Sequence, residues 1–84
     1  MKIDLLKYTS NAESINRYLE TKAQLSFQDK MNNISIFTGM PLIVSAYYIA
    51  RKEGETEEFK AAVESLSRFY KYDQILNITE FMKL

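Results

Sequence analysis

The most apolar stretch of the chain, residues 41–52, predicts a central helix. Pro41 suits the first helical position because its φ is already helical and its missing N–H has no partner there. Gly54 provides a left-handed exit just beyond the stretch. At about 100° per residue the apolar side chains cover one broad face, which indicates contact with several neighbouring helices. That face consists of Leu42, Ile43, Ala46, Tyr47, Ile49 and Ala50.

A strand is the alternative for this stretch, because it is short and partly β-branched. The proline and glycine at its ends favour the helix. A membrane-spanning helix is not expected, since a span needs about 20 consecutive apolar residues.

Two capping patterns predict helices before the central one. Ser10 followed by Glu13 has the spacing of a capping box, and the helix it opens is predicted to run to about Gln24. Ser26 followed by Asp29 is a second, weaker box, and Gly39 is a plausible end for its helix. The predicted core residues of the first helix are Ala12, Ile15, Leu19 and Ala23, and those of the second are Phe27, Met31, Ile34, Phe37 and Thr38.

The chain after Gly54 predicts a fourth helix with the clearest amphipathic pattern. Thr56 is a good N-cap, and the helix is predicted to run from Glu57 to about Tyr72. Asp73 then caps a last short helical segment, where Leu76 and Phe81 fall off the apolar stripe. The predicted core residues are Phe59, Ala62, Val63, Leu66, Phe69 and Tyr70 in the fourth helix, and Ile75, Ile78 and Met82 in the last.

Together these patterns predict an all-α fold: a compact bundle of five or six short helices around a central apolar helix over residues 41–52. The chain has 84 residues, which is enough for one helical domain over residues 1–84.

The amino-acid composition restricts which binding and catalytic functions the chain can have. Eleven Lys and Arg balance eleven Asp and Glu, and zero net charge argues against a dedicated nucleic-acid binder and against a membrane-surface protein. The chain has no His, no Cys and only two Gly. We therefore expect no metal site of the usual kind, no phosphate-binding loop, no cofactor, no catalytic residue and no enzymatic activity, with a small enzyme as the residual alternative.

The composition also suggests where the protein works. The N-terminal segment carries charges within a very short apolar run and does not match a signal peptide, so we expect a cytoplasmic protein. Richness in Lys, Asn, Ile and Tyr is typical of AT-rich genomes. This composition would suit an accessory protein of a low-GC bacterium, its phage or another mobile element.

The densest run of charge is acidic and comprises Glu53, Glu55, Glu57 and Glu58. Carboxylates in the first turn of a helix are favoured by the helix dipole, so a solvated helix start explains the run. The alternative is a cation site or a patch for a basic partner, although the calcium-loop spacing is missing.

The segment 27–52 also has the outline of a helix-turn-helix, which is the alternative function. Its recognition face would carry Pro41, Val44, Ser45, Tyr48 and Lys52. That face lacks the Arg, Asn and Gln side chains that read bases, so nucleic-acid binding is not favoured.

The surplus of aromatic residues is the best functional signal. The chain has six Tyr and five Phe, and Tyr48 with Val44 falls outside the broad face of the central helix. Tyr is favoured at protein interfaces because it joins an apolar body to a polar tip, although isolated apolar residues on a surface are ordinary. The predicted partner-binding residues are Val44, Tyr48 and Lys52 on one face, and Arg68, Lys71 and Tyr72 on another.

The leading hypothesis is therefore a small helical protein-interaction module, such as an inhibitor, adaptor or accessory factor. It would bind a protein partner or self-associate through the face that carries Val44 and Tyr48.

Overall fold

The computed structural model describes residues 2–83, except for the side chain of Tyr72. Five α-helices dominate these residues, so the all-α prediction is confirmed. The helices are α1 (Ala12–Thr21), α2 (Phe27–Thr38), α3 (Leu42–Glu53), α4 (Glu57–Leu66) and α5 (Ile78–Lys83). Two 3-10 helices (Leu5–Asn11 and Tyr72–Gln74) and two short strands, β1 (Ile3–Asp4) and β2 (Ile75–Leu76), complete the fold.

Helix α3 is the centre of the molecule, as the apolar pattern predicts. Every residue from position 43 to position 50 is buried, and α1, α2 and α4 all pack against this helix. Pro41 is the N-cap rather than the first helical residue, with φ −58°. Gly54 ends the helix with φ +95°, a conformation that L side chains rarely adopt.

The predicted caps of α2 and α4 are confirmed. The hydroxyl of Ser26 accepts from the amide of Asp29 at 3.2 Å, and that of Thr56 accepts from the amide of Phe59 at 3.2 Å. Gly39 ends α2 in the left-handed conformation, with φ +75°. These are interactions within one helical turn, so sequence spacing alone specifies them.

The predicted start of α1 is wrong. Ser10 lies within the first 3-10 helix, which begins earlier because the Asp4 carboxylate accepts from the Leu6 amide at 3.0 Å. Helix α1 then begins at Ala12 and ends at Thr21, and Ala23 beyond it is exposed.

Helix α4 ends at Leu66 instead of near Tyr72. The Ser67 hydroxyl donates to the Glu64 carbonyl at 2.6 Å, a local bond that competes with the helical ladder. The prediction that Phe69 is a core residue is wrong, because this side chain is 72% exposed.

The two ends of the described chain meet in a short parallel β-pair that the helical patterns did not predict. Ile3 is in register with Ile75 and Asp4 with Leu76. The Asn77 side-chain amide donates to the Asp4 carboxylate at 2.7 Å, and Asn77 itself has φ +62°. This pairing places α5 against the first 3-10 helix.

Among residues 2–83, no single helix is long and apolar enough to cross a membrane. The pair α2 and α3 has the required length and composition only when the two are taken together, and it is bent by 117°.

Candidate interaction surfaces

The prediction that Val44 and Tyr48 form an exposed patch is wrong. Val44 is 0% and Tyr48 1% exposed. The Tyr48 ring packs edge-on against Phe81, with centroids 4.7 Å apart, and its hydroxyl donates to the Tyr8 carbonyl at 2.7 Å. Helix α5 and the N-terminal segment therefore cover the side of α3 that the sequence pattern left outside the broad apolar face.

The same burial overturns the recognition face of the helix-turn-helix hypothesis. Ser45 is buried, as are Val44 and Tyr48. A recognition helix must present such side chains to base edges, so α3 cannot serve as one in this fold.

Arg51 and Lys52 lie in the last turn of α3, and their side chains have different surroundings. Arg51 places its guanidinium 4.9 Å from the Phe81 ring centroid and 5.5 Å from that of Tyr48. Burial raises the pKa of the Tyr48 hydroxyl, and the charge of Arg51 partly opposes that rise. The two rings hold the guanidinium by cation–π attraction, which keeps it half-buried.

Lys52 lies at the surface, as predicted, but it is engaged within the molecule. Its Nζ is 2.9 Å from a carboxylate oxygen of Glu20, so it joins α3 to α1. The hydrogen bond and the charge of Lys52 lower the pKa of the Glu20 carboxyl. A protein partner would have to compete with Glu20 for this ammonium group.

The second predicted cluster is only partly described. Arg68 and Lys71 are exposed, whereas the Tyr72 side chain lies outside the described residues. Arg68 lines a shallow depression beside α4 together with Phe69, Ser65 and Ala61.

The structure reveals one apolar surface that the sequence prediction missed. Ile36 is 80% and Phe37 49% exposed on the outer side of α2. The Phe37 ring lies 5.4 Å from that of Tyr18, and the Asn33 amide donates to the Tyr18 hydroxyl at 2.8 Å. We call these four residues the α2 patch. Ile36 departs from the core stripe of α2 in the sequence, and that departure was the available signal.

The three residues of the α2 patch that lie on α2 belong to an uncharged stretch of the chain. No charged residue occurs between positions 31 and 50, a segment that includes the whole C-terminal half of α2. Ionic groups are costly to desolvate, so a partner can cover this part of the helix without that penalty.

A separate groove of about 460 Å³ runs between α2 and α4. Ser26, Gln28, Glu58 and Ser65 contribute polar groups to its walls. Its apolar lining consists of Phe27, Met31, Leu42, Ala61, Ala62 and Leu66. We call it the α2–α4 groove.

The four glutamates of the acidic run lie in different surroundings in the folded protein. Glu53 binds the buried Lys30, and Glu57 lies 3.7 Å from Lys60. Glu58 points to the α2–α4 groove, and Glu55 lines another groove between α4 and α5. Within residues 2–83 no three His, Cys, Asp or Glu side chains are grouped so as to hold a metal ion.

Comparison of the chain with protein-family models, with curated proteins and with solved structures finds no match.

Proposed function

We propose that this chain is a small helical protein-interaction module that binds another protein through the α2 patch. The observation that supports this most is the position of Ile36, a large apolar side chain that is 80% exposed in the last turn of α2. Single exposed apolar residues are ordinary, but Ile36 is followed by the half-exposed Phe37, whose ring contacts Tyr18, and both lie in the uncharged segment 31–50.

The α2 patch is suited to binding because it is already ordered. The contact between the Tyr18 and Phe37 rings and the hydrogen bond from Asn33 restrict both aromatic side chains before any partner arrives. Less side-chain entropy is then lost on association. Fully burying an exposed side chain such as Ile36 contributes about 1.5–3 kcal/mol, and Phe37, which is already half-buried, can add about half as much. Together they supply a useful part of a micromolar affinity.

Two other classes are less well supported. DNA binding would need a different face from the one predicted, and the zero net charge offers little affinity for phosphate. For catalysis, a nucleophile and a general base would have to come from Ser, Thr, Tyr, Lys, Asp and Glu, since the chain has neither His nor Cys.

The proposal is tested by comparing three forms of the chain as bait in extracts of the source cell. Ile36→Lys places a charge in the α2 patch, and Thr79→Lys makes the same charge change at an exposed site on α5. We expect a protein that is recovered with the wild type and with Thr79→Lys but not with Ile36→Lys. The recovered protein is then purified, and its affinity for each form is measured by calorimetry. Equal affinity for all three forms would contradict a role for the α2 patch.

A further inference from the structure

A second surface runs along the outer side of α4. Glu58, Ala61 and Ser65 lie at the edge of the α2–α4 groove. Ala61 and Ser65 also line the depression that continues along the helix to Arg68 and Phe69. Glu58, Ala61 and Ser65 are three and four positions apart on α4 and are therefore neighbours on its surface. The depression continues this row to Arg68 and Phe69, and we call the five side chains the α4 face.

The α4 face continues beyond the last residue of the helix. The amides of Phe69 and Tyr70 both donate to the carbonyl of Leu66, at 2.9 and 3.0 Å. These bonds close a turn over residues 66–70 directly after the helix. Phe69 is therefore held at the end of the row, where it is 72% exposed.

The two charged residues of the α4 face, Glu58 and Arg68, have opposite signs and lie symmetrically about its middle. Glu58 and Arg68 are both exposed, and neither forms an ion pair with any of the described residues. They lie equally far along the chain on either side of Val63, and so do Ala61 and Ser65. The row consequently has an acid at one end, a base at the other and small residues between them.

From this reciprocity we infer that the α4 face binds a second copy of the chain, with the two α4 helices antiparallel about a twofold axis. Glu58 of each copy then meets Arg68 of the other, and the helix dipoles are opposed. Ala61 and Ser65 meet at the axis, where their small side chains permit an interhelical distance of about 8 Å. Phe69 of each copy reaches the first turn of α4 in the other, at the end of the α2–α4 groove that is lined by Phe27.

A second copy suits this face better than another partner because the charge pattern is complementary to itself. A twofold interface uses the same surface on both copies, so each acid needs a base at the reciprocal position. One pair of short helices covers little area, below about 1,200 Å² in total, which is typical of weak and transient complexes. We therefore expect a dimer with a dissociation constant between about 10 µM and 1 mM.

Charge reversal tests the arrangement by sedimentation equilibrium. In Glu58→Arg alone, both reciprocal contacts pair two cations; in Arg68→Glu alone, both pair two anions. Each single variant should dimerise about ten- to a hundredfold more weakly than the wild type. An equimolar mixture of the two single variants should form a heterodimer, and the double variant Glu58→Arg, Arg68→Glu should regain the wild-type dissociation constant.

The recovery experiments separate dimerisation from folding. The double variant contains both substitutions, so its recovery shows that neither one simply prevents folding, and far-ultraviolet circular dichroism checks each single variant. A monomeric wild type at 1 mM would overturn the inference. A dimer that is insensitive to both reversals, or that fails to recover in the mixture and in the double variant, would overturn it equally.

The apolar contact has its own test. Phe69→Ser should weaken the dimer about tenfold, whereas Ile36→Ser, which changes the α2 patch, should leave the dissociation constant unchanged. The inference does not depend on the proposed function. A chain that stays monomeric but binds a foreign protein through Ile36 overturns only the dimer, and a foreign protein that requires Phe69 instead would show another occupant of the α4 face.

Discussion

The ammonium group of Lys30 lies 2.9 and 3.1 Å from the two carboxylate oxygens of Glu53, with the lysine side chain only 8% exposed. This pair ties the first part of α2 to the last turn of α3. The buried ammonium group is tolerated because the Glu53 carboxylate balances its charge and accepts two of its three N–H donors.

Removing only the carboxylate charge should therefore destabilise the protein. Glu53→Gln leaves the buried Lys30 without its counter-charge, and we expect a loss of about 1–3 kcal/mol in the free energy of unfolding, moderated by the partial exposure of Glu53. Urea denaturation measures this loss. The double variant Lys30→Met, Glu53→Gln should recover most of it, because no unpaired charge remains. Equal stability of the single variant and the wild type would show that the pair is unimportant.

The two phenylalanines that follow α4 should respond oppositely to truncation. Phe81 is 0% exposed and packs on Tyr48 and Arg51, so Phe81→Ala should lower the free energy of unfolding by about 3–5 kcal/mol. Phe69 is 72% exposed, so Phe69→Ala should change it by about 0.5 kcal/mol or less. Denaturation at low protein concentration keeps the comparison free of self-association. Similar losses for the two variants would contradict the position given for α5.

Alkaline conditions should unfold the protein in part through Tyr48. Burial raises the pKa of this hydroxyl above its ordinary value of 10.0, so the folded state favours the neutral form. The contribution of this group is complete below the unfolded pKa and is lost as the pH rises from about 10 through the folded pKa. We expect Tyr48→Phe to show a shallower loss of stability between pH 9.5 and pH 11.5, about the range in which tyrosine ionises.

The control for that experiment is stability near neutral pH. There Tyr48→Phe should cost about 1 kcal/mol, because the Tyr8 carbonyl loses its hydrogen bond. An alkaline slope identical to that of the wild type would show that Tyr48 titrates like a solvent-exposed tyrosine.

Acid conditions should destabilise the folded protein in part through protonation of Glu20. Its pKa is lowered from 4.5 by the hydrogen bond and charge of Lys52. A lowered pKa stabilises the folded state above the unfolded pKa, and this stabilisation is lost as the pH falls through the folded value. We expect Lys52→Met to raise the Glu20 pKa towards 4.5 in a carbon-detected NMR titration. A Glu20 pKa that is the same in Lys52→Met and in the wild type would contradict the ion pair.

Local interactions explain why so much of the helical framework could be predicted. Ser26 and Thr56 cap their helices with bonds that span three residues, and Gly39 and Gly54 end helices through their own backbone conformation. Such features depend on neighbours within one turn, so their residue spacing is visible in the chain itself.

The candidate sites depended on contacts between distant parts of the chain, which residue spacing does not reveal. The periodicity of α3 alone places Tyr48 outside the broad apolar face and so predicts an exposed side chain. Phe81 and the Tyr8 carbonyl, both more than thirty positions away, cover it in the folded protein. Conversely, Phe69 follows the helical periodicity of α4 but becomes exposed where that helix ends early.

The chain's own pattern thus established an all-α fold centred on one apolar helix, because periodicity and capping are short-range properties. Packing determined which sides of that helix are covered and which side chains, such as Ile36 and Phe69, are left at the surface. The burial of the central helix depends on the positions of α5 and of the β-pair between Ile3 and Ile75. These positions are fixed by contacts between segments that are distant in sequence, so they form only when those segments come together.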